Sequence, residues 1–308
     1  MSVHDDARLV CVGPTGIGYY AEIQRLPQRD SGEWASSSGA MVMCDAPIVA
    51  IEAARRHNVC LITNNLGGSI ESSMLRKHVL DLGISLLEDP MPVSGVPFDM
   101  LMLERQSGTR SFVTTDYSPR PAHIRQALSE MSQKLNRDEG RTFLYMDAEL
   151  SSPDAHETVV ILNSLAFTPT LALINLDDVS DFSAALRWIR DQDVHLPTVF
   201  QISYKGEIGY GPDLHSLWDS GHTVIVTSGA SGAHLLSPGS VQHIRCDEVK
   251  NALTVGAGAI LSGALMSGAM SASLDVVTEP VLTAAMREAS SFVRHFSEGT
   301  YREDVFLW

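Results

Sequence analysis

Thr254-Val255-Gly256-Ala257-Gly258-Ala259-Ile260-Leu261-Ser262-Gly263-Ala264-Leu265 is a glycine-rich turn that opens directly into an apolar run of small residues, continuing to about residue 270. Small residues at such a turn let backbone N–H groups point outward and let an anion approach closely. The N-terminus of the following helix adds its partial positive charge. This is the physics of a phosphate cradle. The same residues also suit a tight helix start selected for packing alone, and the stretch by itself leaves both readings open.

Working outward, a second small-residue turn lies upstream. Thr227-Ser228-Gly229-Ala230-Ser231-Gly232-Ala233 follows the apolar run 223–227, and thirty residues separate Gly229 from Ala259. Further apolar runs at 142–146, 170–175 and 198–203 read as strands. They alternate with amphipathic stretches at 121–135, 156–166, 182–190 and 213–220 that read as helices. Near-continuous apolar strands between helices predict a parallel sheet covered on both faces. Toward the N-terminus, 8–13 and 59–63 read as buried strands, and 46–57 and 69–82 as helices. The segment 19–34 is polar and mixed. Residues 100–103 and 110–115 flank Gln106-Ser107-Gly108-Thr109, which is a hairpin signal. A long helix is expected at 279–296, its apolar stripe of Val281, Leu282, Ala285, Ala289 and Phe292 facing the core.

The chain has 308 residues, 44% hydrophobic and 19% charged, ample for one large α/β domain. Its formal net charge of −15 argues against nucleic acid or an anionic membrane as the main partner. The four cysteines, Cys11, Cys44, Cys60 and Cys246, are far apart and show no metal-binding spacing. Cys11 and Cys60 fall inside predicted strands, where a reduced thiol acts as a small hydrophobe, so a cytoplasmic setting is expected. Glycine and serine interrupt the apolar run 253–270, which reads as a core helix and not as a membrane span.

Gly256-Ala257-Gly258-Ala259, with Ser262-Gly263-Ala264 behind it, resembles the C-terminal signature of the ribokinase (PfkB-type) family of sugar and nucleoside kinases. The order and separation of the Thr227–Ala233 turn agree with that family, and the resemblance covers essentially the whole chain. It implies a three-layer α/β/α sandwich with a mainly parallel central sheet and a small β-sheet lid. The lid would be built from about residues 19–40 and 96–118 of a single 1–308 domain. It implies ATP as phosphoryl donor, Mg²⁺, a small-molecule hydroxyl acceptor and pairing of two copies through the lid.

The resemblance also assigns candidate residues. Gly256, Ala257 and Gly258 correspond to the anion hole, and Thr227, Gly229 and Gly232 to the nucleotide phosphates and ribose. Lys205 is a candidate phosphate partner. For Mg²⁺, Tyr204-Lys205-Gly206-Glu207 makes Glu207 the first candidate and Asn175-Leu176-Asp177-Asp178 makes Asp178 the second. On the acceptor side the family pattern points to Gly18, Gly39, Asp45, Asn64, Asn65 and Gly67; Ile48 occupies the position of a substrate-binding Asn. The general-base position, Asp in the family, is Ala259, and the signature's leading Asp is Leu253. Ala259 reads either as an introduced replacement of Asp or as natural divergence. A general base contributes typically ~10²–10⁴-fold. Two functions are therefore expected as alternatives: a ribokinase-type kinase lacking the usual base, or an inactive nucleotide- or metabolite-binding regulator on the same fold.

Overall fold

The computed structural model describes residues 7–63, 66–88, 98–114, 140–148, 150, 153–165, 167–209, 211–247, 249 and 252–307. Its strands are β1 (Arg8–Val12), β2 (Gly16–Ile23), β3 (Ala35–Met43), β4 (Asn58–Thr63), β5 (Ser85–Glu88), β6 (Phe98–Glu104) and β7 (Thr109–Thr114). They continue as β8 (Thr142–Asp147), β9 (Leu171–Asp178), β10 (Thr198–Ser203), β11 (Thr223–Thr227), β12 (Ala233–Ser237) and β13 (Ser240–Ile244). The helices are α1 (Asp45–Ala54), α2 (Ile70–Asp81), α3 (Pro153–Asn163), α4 (Phe182–Arg190), α5 (Pro212–Ser220), α6 (Ala257–Ala272) and α7 (Glu279–Ser297).

Nine strands form the central sheet in the order β13-β12-β11-β10-β9-β8-β1-β4-β5. All neighbours are parallel except β11–β12 and β12–β13, which turn back as hairpins. Alternation along each strand sends side chains to opposite faces. Leu9, Cys11, Leu61, Phe143 and Tyr145 join one buried cluster with residues of α1, α2, α6 and α7. Val10, Val12, Ile62, Leu144 and Met146 join another with residues of α3, α4 and α5. A sheet apolar on both faces must be covered on both, and the three layers follow.

A separate four-stranded sheet has the order β3-β2-β6-β7, with β2–β6 parallel and the outer pairs antiparallel. Here the structure extends the sequence reading. The polar 19–34 segment contributes most of β2, and the serine run before α1 is β3, paired residue by residue with it. The family-derived acceptor candidates Gly18 and Gly39 are thus ladder residues of this sheet. A Cβ on Gly18 would stand 2.6 Å from the Met43 side chain. The strands expected at 198–203 and 223–227 and the helix at 182–190 have those bounds. The helix expected at 121–135 lies outside the described residues.

α1 and α6 lie against each other, and glycine sets how closely. A Cβ on Gly263 would fall 2.6 Å from Glu52 Cβ and 3.0 Å from the Val49 carbonyl oxygen. Further back, Ile48 Cδ1 lies 3.6 Å from where a Cβ on Gly256 would be. Contacts therefore advance in the same direction along both helices, and their N-termini open at the same end. Gly263→Val should wedge them apart at a cost of about 1–3 kcal/mol. A lowered urea midpoint with an unchanged slope is the expected reading; a midpoint equal to wild type would mean the pair is not closely packed.

Candidate active site

A cavity of about 470 Å³ opens beyond the carboxyl ends of β9, β10 and β11, the usual ligand position in a parallel α/β sheet. One wall is the start of α6. Gly256 caps this helix at φ 77°, a left-handed conformation that costs glycine little. No side chain caps the helix, and Ala257 and Gly258 line the cavity. The Ala257 N–H donates to the Thr254 carbonyl oxygen at 3.3 Å; an uncapped N-terminus leaves the N–H groups after it without helical partners, at the positive end of the helix dipole. The facing wall is the turn after β11, where Thr227, Gly229 and Gly232 line the same space. Gly232 has φ 97° and packs against backbone: a Cβ there would fall 2.1 Å from the Ile244 carbonyl oxygen. Met286, Ala289 and Val293 of α7 close this end with apolar surface.

Another part of the lining is acidic. Asp45, Asp177 and Asp178 line it, with Arg110 reaching in from β7 of the small sheet. Asn175 Nδ2 donates to Asp45 Oδ2 at 2.9 Å and to Asp177 Oδ1 at 3.2 Å. Asp147, at the end of β8, lies behind them. Its Oδ2 accepts the Ala46 N–H at 2.8 Å, and Tyr145 Oη donates to its Oδ1 at 2.5 Å. Gly13 makes room for this carboxylate, since a Cβ there would lie 2.8 Å from Asp147 Oδ2. Burial, then the charges of Asp45 and Asp177, push the Asp147 carboxyl well above the ordinary range. Burial likewise raises Asp45, to about 6, against the opposing effects of the Asn175 hydrogen bond and the Arg110 charge.

Several residues marked from the sequence converge on this cavity: Gly256, Ala257, Gly258, Thr227, Gly229, Gly232, Lys205, Asp45 and Asp178. Others do not line it. Ala259 is fully buried beneath the start of α6. Glu207 is exposed. The Gly67 N–H bonds Ser72 Oγ at the start of α2. Asn64 and Asn65 lie outside the described residues. Arg110, Asp177, Gln201 and Ser203 enter the wall without any mark in the sequence reading.

The family's two small-molecule participants can be tested against these groups. The uncapped α6 N-terminus fits a polyphosphate by donor chemistry; in the facing turn the Ser228, Ser231 and Gly232 N–H groups are bonded within the turn, so its small residues offer close approach more than donors. Among the described residues no cluster of three or more His, Cys, Asp or Glu is placed to hold a metal. Mg²⁺ does not require one, because it takes one or two carboxylates with waters and phosphate oxygens. Asp178 on the cavity wall meets that need.

No family model matches the chain, and no curated protein does. Solved structures do. A ribokinase from Giardia lamblia superposes with a TM-score of 0.71 at 14% identity, over 97% of this chain and 97% of that one. The chain has the ribokinase fold. A microbiome-derived acarbose kinase matches with a TM-score of 0.66 at 14% identity, covering 97% of this chain and 95% of that one. Arabidopsis thaliana ribokinase complexed with ribose and ATP gives 0.59 at 15% identity, over 93% and 92%. In ribokinase-fold terms the nine-stranded sheet with its helices is the main body and the four-stranded sheet the smaller accessory layer. Among the described residues no helix is long and apolar enough to cross a membrane.

Proposed function

We propose that this protein transfers the terminal phosphoryl group of ATP to a hydroxyl of a small molecule, a sugar, cyclitol or nucleoside. The observation that carries the reading is the uncapped N-terminus of α6, facing the Thr227–Gly232 turn across one cavity. Phosphoryl transfer depends mainly on positioning and charge neutralisation, and backbone donors supply much of both. Gly256, Ala257 and Gly258 would hold the transferred phosphate. Thr227, Gly229 and Gly232 would hold the rest of the chain of phosphates, with Lys205 adding a positive charge. Asp178 would bind Mg²⁺, which bridges phosphate oxygens and offsets their charge. The acceptor would lie at the acidic part, between Asp45 and Arg110.

Pairing of two copies through the small sheet belongs to the same proposal. Tyr19, Met100 and Val113 lie in one cross-strand row, and Met100 and Val113 are 58% and 66% exposed. A row of exposed apolar side chains is suited to a second copy's matching face. We also place the protein in the cytoplasm, where ATP and such acceptors are found.

ATP binding by calorimetry, with product detection over a panel of sugars, cyclitols and nucleosides, tests the reading. A phosphorylated product from any acceptor supports it. ATP binding with a silent panel leaves the regulatory, non-catalytic reading, and no ATP binding removes both.

A further inference from the structure

We propose that Asp45, carried by α1 to the start of α6, is the group that takes the proton from the acceptor hydroxyl. This rests on the kinase reading above. The usual position for that group holds Ala259, whose methyl has no lone pair and is buried away from the cavity. The chemistry still calls for a proton acceptor beside the anion cradle, within hydrogen-bond reach of the reacting hydroxyl.

The packing of α1 on α6 supplies one. Ile48 of α1 touches the Gly256 position, and Asp45 lies three residues earlier on the same face of that helix. Asp45 and Gly256–Gly258 line one continuous cavity. The backbone aims the residue: Cys44, which precedes it, has φ 70° and ψ 153°, a conformation almost confined to glycine. Asn175 fixes one carboxylate oxygen, Oδ2, by its 2.9 Å hydrogen bond.

The other acids are less suited. Asp178 pairs across the strands with Ser203, two residues from Lys205, and is the carboxylate proposed for Mg²⁺. Asp177 accepts from the same Asn175 but belongs to β9, not to the helix that packs on the start of α6, and Asp247 is largely exposed. In the proposed step the acceptor oxygen bonds to the terminal phosphorus as its proton passes to Asp45. The bond from that phosphorus to the bridging oxygen breaks, and its electron pair leaves with ADP. The titratable groups that interact electrostatically with Asp45 are Asp147 and Tyr145 of β8, Asp178 of β9, Arg110 of β7 and the neighbouring Cys44. Burial chiefly, with Asp178, holds its pKa at about 6, so it is ionised at neutral pH yet basic enough to accept a proton.

The test compares wild type, Asp45→Asn, Asp45→Glu and Ala259→Asp for ATP affinity, melting temperature and turnover over the acceptor panel. Expected is a fall in kcat of about 10²–10⁴-fold in Asp45→Asn with ATP affinity and melting temperature unchanged, and partial recovery in Asp45→Glu. Wild-type kcat/KM should fall below pH about 6, a readout that needs no variant. Turnover by Asp45→Asn close to wild type, or a kcat/KM without that acid limb, would overturn the assignment while leaving the kinase reading intact. So would a silent wild type that Ala259→Asp makes active. If ATP binds to no form, or all forms stay silent, the kinase reading itself fails and the assignment falls with it.

Discussion

Gly258→Asp is expected to weaken ATP binding by a hundredfold or more and to leave the protein as stable as before. The two halves of this result come from different physics. A Cβ on Gly258 would meet no atom within 4 Å, so the new side chain has open space on the cavity side. It would stand in the first turn of α6, where a carboxylate interacts favourably with the helix dipole by about 0.3–1 kcal/mol. Replacing glycine adds only a few tenths of a kcal/mol more, roughly, because aspartate is itself a weak helix former, so stability changes little. The same carboxylate would occupy the space proposed for phosphate. Two like charges about 4 Å apart repel by about 4 kcal/mol at an effective dielectric constant of 20. That exceeds the ~2.8 kcal/mol that corresponds to a hundredfold in affinity. Calorimetric titration with ATP and a thermal melt read the two halves separately, and Gly258→Ala serves as the uncharged control. Undiminished ATP binding in Gly258→Asp would mean that the α6 N-terminus is not the phosphate site. A collapsed melting temperature would mean that Gly258 is needed for the backbone alone.

The contrast between two parts of the cavity lining explains what could be read from the sequence. The phosphate part is made of backbone. A left-handed cap at Gly256 and a close turn at Gly232 demand glycine, so the spacing of glycines records the architecture directly. The strands were legible for a related reason. A buried parallel strand must be apolar on both faces, and 198–203 and 223–227 show this as unbroken runs. The acidic part is made of side chains from α1, β8 and β9, joined by contacts across 101 and 130 residues of chain. No local pattern encodes such a meeting. Asp147 reads in the sequence as the polar residue after a strand, and Arg110 as one charge in a hairpin.

The order of the two metal candidates also turns on tertiary detail. From the sequence, β9 ends at Asn175, but it continues to Asp178 through a register shift against β10. That extension brings Asp178 to the cavity wall, whereas Glu207 lies beyond a turn and is exposed. β2 and β3 were expected only through the family resemblance, as the lid segment 19–40, and no local pattern marked them. One face of their sheet is open to solvent at Tyr19, so no continuous apolar run marks them.

Arg302→Met should cost about 3–5 kcal/mol of folding free energy, because it strands a buried charge. Glu52 of α1 is fully buried, and Arg302 Nη1 donates to its Oε2 at 2.6 Å. Its other partner, Arg55, stands at 3.4 Å, is partly exposed and is shared with Glu288. Arg302 also forks onto Asp304, at 2.9 and 2.6 Å, and lies over the Phe292 ring. Methionine keeps much of the apolar stem, so the loss isolates the charge. Burial works against the Asp304 carboxylate, but the hydrogen bonds and charge of Arg302 outweigh it and hold its pKa below the ordinary value. A depressed folded pKa stabilises above the unfolded value of about 3.9 and stops doing so as the pH falls through the folded value. The gap between wild type and Arg302→Met should therefore be full at pH 7 and should narrow below pH about 4. Urea denaturation at both pH values measures it. Pairing Arg302→Met with Glu52→Leu should recover much of the loss, since the buried charge is then gone as well. A gap under about 1 kcal/mol at pH 7 would place this pair among ordinary surface contacts. It would also remove the C-terminal segment from the forces that hold α1, and with it Asp45, against α6.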